Sequence, residues 1–548
     1  MSFLIRLAAA LCALSFGTRV AACTNFIVTP SASADGSVFI SYNADDYGMF
    51  GSLCHYPAGV HAKGSMRDIV NWDTHVWAGQ IPEAAETYNV IGNINEFQVA
   101  IGETTYGGRE EMVDTTGLLD YGSLIYLALQ RSRTAREAIG VMTSLANKYG
   151  YSSEGETFSI ADPDEAWIME MMGKGPGSKG VVFVALRVPD GYICAHANQS
   201  RIGNWQKLGL GKDDVIVSKD VISFARKMGW FSGKDADFSW KDAYCKPDFE
   251  SRRFCDARAW SFFRRHADGM DKYLPWAMGR DSAAEDLPLW VKPNHPVSLH
   301  DVMAGMRDHY EGTPLSLADT TSLAGGPWMM PYRPTPLTFK GGDGNEYFWE
   351  RPTSTQQTAF TFVAQLRKSL PSHIGGILWF GNDDANMVAY TPIYCASTRR
   401  PLCYNTPGAD AVTFSFQNAF WVCNWVANMV YPRYSALFPD LEAVRDSLEA
   451  SFAARQADVE ARAAAMPKAR AVAFLNDYSV ACAAEMMERW NELAIMLIVK
   501  HNDMALKPQN ADGSFALTPE GLGRRVSRPG YPAASRALLI GHKAVEAE

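Results

Sequence analysis

The chain has 548 residues, of which 47% are hydrophobic, 12% aromatic and 20% charged, with a formal net charge of −9 at pH 7. That length allows three or four domains at roughly 150 residues each, or one large domain with insertions. The apolar content supports a packed core and excludes wholesale disorder, and the acidic balance excludes nucleic acid or an anionic membrane as the main partner, since both need basic stripes.

Met1–Arg6 carries one positive charge, Leu7–Phe16 is an apolar run, and Gly17–Ala22 ends in Val20-Ala21-Ala22. These are the three parts of a secretory signal peptide, so residues 1–22 are expected to be removed after Ala22 and the protein exported, to a periplasm or the exterior. The run spans only about 15 Å as a helix, half of the roughly 30 Å core of a bilayer, so no transmembrane segment is expected. Loss of Arg6 and Arg19 moves the net charge from −9 to −11.

Cleavage after Ala22 makes Cys23 the new N-terminus. Two readings give that position meaning. Val20-Ala21-Ala22-Cys23 can serve as a lipobox, with Cys23 acylated on a non-enzymatic surface protein. Alternatively Cys23 is an N-terminal nucleophile whose own α-amine, with a pKa of about 7.7–8.0, takes the thiol proton without a histidine. A lipoprotein continues into a polar tether. Here Thr24-Asn25-Phe26-Ile27-Val28-Thr29 is apolar and β-branched and predicts a strand, Ser31–Gly36 a turn, and Ser37–Asn43 a returning strand. A nucleophile suits that rigid start; a tether does not.

Further along, Val99-Ala100-Ile101-Gly102 predicts a short buried strand and Tyr121–Tyr149 a helical block. Within that block Thr134-Ala135-Arg136-Glu137 forms a capping box that starts a second helix, ended by Gly150. Phe158–Asp162, Ala166–Met171, Val181–Val188 and Tyr192–Ala197 predict four strands, which suggests a layered α+β core. One helix is clear near Leu299–Tyr310. Thr353–Leu370 is read as helix and Ile374–Tyr394 as strands. From Asp440 to Asn502 the pattern is helical, broken at Pro467, with Leu475, Val480, Met486, Leu493 and Leu497 pointing inward. No long linker appears, so the expected division is a catalytic domain over 23–439 and a mainly helical extension over 440–548.

The ten cysteines include no C-x-x-C, and the histidines form no H-E-x-x-H. No metal or other cofactor is therefore expected. In an oxidising compartment Cys245/Cys255 and Cys395/Cys403 are candidate local disulfides, whereas Cys194, Cys423 and Cys482 sit in apolar surroundings that suit packing.

A group of motifs now falls into a family pattern. Cys23-Thr24-Asn25-Phe26-Ile27-Val28, Ala34-Asp35-Gly36-Ser37 and Asn43-Ala44-Asp45 come first. Asn95-Glu96, Val99-Ala100-Ile101-Gly102-Glu103, Asp120-Tyr121-Gly122 and Asp164-Glu165-Ala166-Trp167 follow. Arg187-Val188-Pro189-Asp190-Gly191, His309-Tyr310-Glu311-Gly312-Thr313 and Gln365-Leu366-Arg367 complete the order. In that order the sequence resembles the N-terminal-nucleophile (Ntn) cysteine dipeptidases, the dipeptidase A and secernin group, from Cys23 to about Tyr394.

The resemblance implies a four-layer αββα Ntn-hydrolase sandwich and hydrolysis of dipeptides or short peptides. Cys23 is then the nucleophile, Asp45 orients the α-amine, and Asn198 stabilises the oxyanion. In the wider group an arginine precedes that aspartate by three residues; here the position holds Tyr42. Asn95 is a second candidate, with a hairpin turn as its structural alternative, and Arg187 and Arg201 are candidates to bind a substrate carboxylate. Tyr42, Asn95, Arg187 and Arg201 thus form the expected substrate-binding set. Related Ntn amidases acting on bile-salt conjugates or penicillin V are the enzymatic alternative, the lipidated protein the non-enzymatic one. The oligomeric state, including a homo-oligomer, stays open.

Overall fold

The structure is a computed structural model, and it describes residues 23–281, 283–318 and 325–531. The expected signal peptide at 1–22, with Cys12, lies outside the described residues.

Strand β1 (Asn25–Val28) is buried along its whole length and passes through a turn into β2 (Val38–Asp45). Gly36 closes that turn with φ +77, a left-handed value that glycine adopts without a Cβ clash, and the Asp35 carboxylate accepts the Ser37 N–H. Next come β3 (Ala100–Gly107), α1 (Tyr121–Leu129) and α2 (Ala135–Tyr149). Asp120 caps α1 by accepting the Ser123 N–H; Thr134 caps α2 by accepting from Glu137, and Gly150 ends it. Strands β4 (Gly155–Ala161), β5 (Ala166–Gly173), β6 (Val181–Arg187) and β7 (Ile193–His196) follow where the alternation placed them.

Helix α3 (Ala257–His266) was not recognised, although Arg258, Ser261, Arg264 and Arg265 recur on it at helical spacing; eight of its ten residues are buried, Arg258 and Ser261 among them. Helix α4 (Leu299–Met306) begins at a Ser298/Asp301 capping box. Strands β8 (Thr358–Leu366), β9 (Ile377–Asn382) and β10 (Thr391–Tyr394) lead to α5 (Ala419–Val430), α6 (Tyr434–Ala464) and α7 (Lys468–His501). The helix expected over Thr353–Leu370 is corrected here: its centre is β8. All nine residues of β8 are buried between neighbouring strands, so the polar/apolar alternation that marks a strand is missing. Pro467 separates α6 from α7 as expected, and of the five inward positions only Val480 is half-buried rather than buried.

Two antiparallel sheets face each other. One runs Trp290–Val291, β7, β1, β2, β8, β9, β10; the other runs Val215–Val217, β6, β5, β4, β3 and three short strands. Strand β2 lies against β3 and β4. Along β3 and β4, Val99, Ile101, Phe158 and Ile160 pack under α1 and α2, while Ala100 and Ala161 join the core between the sheets. Helices α3 and α4 cover β7, β2 and β8 on the far side, with Phe26 stacked on Phe262 at 3.9 Å. Helix α7 packs on β10, and the buried pairs Arg307–Glu449 and Arg367–Glu460 tie α6 to the sheet.

The nine described cysteines are all free, which corrects the expected Cys245/Cys255 and Cys395/Cys403 disulfides. Their thiols are used otherwise: Cys245 donates to the Tyr106 carbonyl and Cys395 to that of Ser372. Cys194, Cys423 and Cys482 are buried packing residues. Among the described residues no helix is long and apolar enough to cross a membrane.

Candidate active site

Cys23 stands one residue before the point where Thr24 bridges Asn43 of β2. The strand register fixes it at the end of the central β1/β2 pair, and its side chain is 4% exposed. The thiol donates to the Tyr42 hydroxyl at 3.6 Å and lies 3.8 Å from Glu103 Oε1. Tyr42 in turn donates to the same Glu103 oxygen. Its ring is held edge-on by Phe360 and Phe362 of β8. Gly102 makes this approach of β3 to β1 and β2 feasible, since a Cβ there would lie 2.3 Å from Asn25 Oδ1.

Two arginines converge on the same end. Arg258 of α3 donates to the Cys23 carbonyl at 2.6 Å and to Thr24 Oγ1 at 2.8 Å. Its other nitrogen reaches the Ala197 carbonyl and Asn198 Oδ1. Arg351 pairs with Asp45 at 2.5 Å, and the Thr358 hydroxyl donates to the second Asp45 oxygen at 2.6 Å. Both arginines are about 1% exposed.

Asn198 follows β7 in a left-handed conformation, φ +55, and donates to the Thr105 carbonyl at 2.7 Å. The bond from Arg258 to its oxygen fixes which end of the carboxamide is nitrogen. The loop is held from below by buried Glu170, which accepts from Ser200 Oγ and from the N–H groups of Arg201 and Ile202.

The electrostatics keep the thiol neutral in the uncleaved chain. Burial pushes the Cys23 thiol well up, and the carboxylates of Glu103 and Asp45 push it further. Burial also raises Asp45, with Arg351 pulling the other way. Glu103 is raised to about 7 by burial, and Glu156 is raised well above the ordinary carboxyl range by burial and by Glu103. The interaction between these two side chains lowers Glu103 and raises Glu156. The buried imidazole near this core, His196, bonds Thr104 and Ser159 rather than the thiol, and burial lowers it to about 3. Among the described residues no histidine bonds Cys23, so a thiol–imidazole pair is not the chemistry on offer.

The structure therefore brings Cys23, Tyr42, Asp45 and Asn198 to one end of the sheet. It does not bring in the other three. Asn95 donates to the carbonyls of Leu129 and Ser132 and accepts from Phe97 and Val99, which is the hairpin role. Arg187 pairs with Asp214 and Glu165, and Arg201 is buried against Asp256 and the Pro288 carbonyl. Sequence reasoning missed Glu103, Arg258 and Arg351. The signal for Glu103 was a charged residue closing a buried strand motif; Arg258 lay in an unrecognised helix and Arg351 in a loop before Pro352.

The family model described as Peptidase family C69 matches residues 22–447. A probable dipeptidase of Salmonella dublin is 24% identical over 400 residues, which is 69% of this chain and 81% of that protein. A probable dipeptidase of Latilactobacillus sakei is 22% identical over 438 residues, 76% of this chain and 83% of the relative. A probable dipeptidase B of Streptococcus pyogenes serotype M1 is 22% identical over 430 residues, 75% and 78% respectively.

Proposed function

The chain belongs to peptidase family C69, and from that premise we propose that it is an exported cysteine dipeptidase of the Ntn class, with Cys23 as nucleophile after cleavage behind Ala22. The observation that carries this reading is the clasp on Cys23: its carbonyl held by Arg258, its thiol on Tyr42, and Asn198 oriented by the same guanidinium. The names of the relatives favour dipeptides over bile-salt or lactam amides. The paired sheets with helices on both outer faces are read as the four-layer αββα arrangement.

Cleavage replaces the neutral peptide nitrogen of Cys23 by an α-amine with a pKa near 8. As an ammonium it lowers the thiol pKa; as a free amine it takes the thiol proton directly or through water. Cys23 Sγ then attacks the peptide carbonyl. Asn198 Nδ2 stabilises the oxyanion, a donor whose loss costs about 10²–10³ in kcat in comparable sites. The C–N bond breaks as the ammonium returns its proton to the leaving amine, and water hydrolyses the thioester. Asp45, with its charge balanced by Arg351, positions the terminal amine. The uncleaved chain, with its sulfur shut from solvent and its thiol neutral, is inactive.

The test is hydrolysis of Ala-Ala by the mature enzyme and by Cys23→Ala. Full activity in the variant overturns the reading; loss of at least a thousandfold supports it.

A further inference from the structure

Glu103 is a buried carboxyl group with no cation paired to it among the described residues. It is 1% exposed, it accepts a hydrogen bond from Tyr42, and its Oε2 has no hydrogen-bond partner. Among the described residues no arginine, lysine or histidine forms an ion pair with it. Asp45, by contrast, has Arg351. Glu103 and Asp45 lie near the same sulfur, and only one of them has a resident cation. A buried negative charge without a counter-ion is costly, and a site that keeps one is built to receive a positive charge.

The distances say which positive charge. Glu103 Oε1 is 3.8 Å from Cys23 Sγ. An attacked carbonyl carbon sits roughly 3–3.5 Å from the sulfur, and the α-nitrogen of the same residue is about 2.5 Å from that carbon. These spans allow the free ammonium of a peptide's first residue, when its own carbonyl is attacked, to reach Glu103. An amide further along a chain presents no charge there.

We propose that Glu103, oriented by Tyr42 and Glu156, binds the α-ammonium of the substrate and so selects peptides whose scissile bond follows a free N-terminal residue. The inference rests on the dipeptidase reading above and names the residue that gives it its substrate class. Burial and the neighbouring Glu103 raise Glu156 well above the ordinary carboxyl range, which favours one negative charge on the pair over two. That single charge matches one ammonium. Tyr42, which replaces an arginine in the wider pattern, fits the same purpose, since a guanidinium at that position would neutralise Glu103 permanently.

The test compares L-alanyl-L-alanine with propionyl-L-alanine, the same amide lacking only the amino group, on mature wild type and on Glu103→Gln. Both substrates are read on one preparation, so loss of folded enzyme lowers both rates and leaves their ratio unchanged. Wild type is expected to prefer the free amine strongly. Glu103→Gln should lower the ratio of kcat/KM for Ala-Ala to that for propionyl-alanine by about 100-fold, mainly through the KM for Ala-Ala. Equal losses on both substrates overturn the proposal and assign Glu103 to the Cys23 thiol or to its own amine. An unchanged preference also overturns it. Wild-type protein that begins at Cys23 by mass yet hydrolyses neither compound overturns the dipeptidase reading itself.

Discussion

The guanidinium of Arg258 donates to the carbonyl oxygen of Cys23 at 2.6 Å, joining two residues 235 positions apart. The same group holds Thr24 Oγ1 and Asn198 Oδ1, so one side chain from α3 sets the relative position of Cys23 and Asn198. Arg258→Lys keeps the charge and loses the fork. It is expected to lower kcat by about 10- to 100-fold with a smaller effect on KM, measured by steady-state kinetics on Ala-Ala. Wild-type kcat in that variant would show that the clasp is irrelevant to catalysis.

Tyr42 donates to Glu103 and receives the Cys23 thiol; on ionisation of the thiol the phenol proton turns to the sulfur, and that hydrogen bond lowers the thiol pKa against the larger effect of burial. Removing the hydroxyl in Tyr42→Phe should raise the thiol pKa. At a fixed pH of about 7 the mature variant is then alkylated by iodoacetamide several-fold more slowly than wild type. Equal alkylation rates across the pH range argue that the phenol is only packing.

Glu103 carries a pH signature. Its ordinary value is 4.5 and burial raises it to about 7. Between those values the folded chain holds a proton that the unfolded chain has released. The stabilisation is therefore fully present below about pH 4.5 and is lost as pH rises through about 7. Glu103→Gln in the uncleaved chain should remove this decline, worth up to about 3 kcal/mol, and leave a flatter stability curve between pH 5 and 8 than wild type. Urea unfolding at several pH values measures it. Parallel curves for the two proteins contradict the assignment.

Arg307 joins Glu449 through two hydrogen bonds and also holds the carbonyls of Ala385 and Val388, so α6 is fastened to the loop between β9 and β10. Glu449→Ala leaves that guanidinium buried and unpaired. A destabilisation of about 3 kcal/mol is expected from urea unfolding, and a change below about 0.5 kcal/mol would mean that the helix is docked by apolar contacts alone.

The legible part of the fold was the part with visible periodicity or caps. Strands β1 and β2, the Thr134 cap of α2 and the break at Pro467 each follow from local pattern. Strand β8 and helix α3 did not. Strands β1 and β2 are as fully buried as β8, but the turn at Ser31–Gly36 sets them off, whereas the run from Thr353 to Leu370 has no glycine or proline to divide it. The site divided in the same way. Cys23 was legible from its position behind Ala22, and Asp45 and Asn198 from the family pattern. Arg258, Arg351 and Glu103 reach it across the fold, and an arginine buried against carbonyls looks in sequence like any other arginine. Asn95 failed as a substrate residue because its amide is wholly spent on its own hairpin and on the end of α1.

The catalytic expectations depend on Cys23 being the first residue of the active enzyme. The most direct measurement is the intact mass of the protein in the fraction that hydrolyses Ala-Ala. The predicted result is a chain beginning at Cys23, with residues 1–22 absent and no acyl group added. An active chain that retains Ala22, or one that carries lipid on Cys23, contradicts the account.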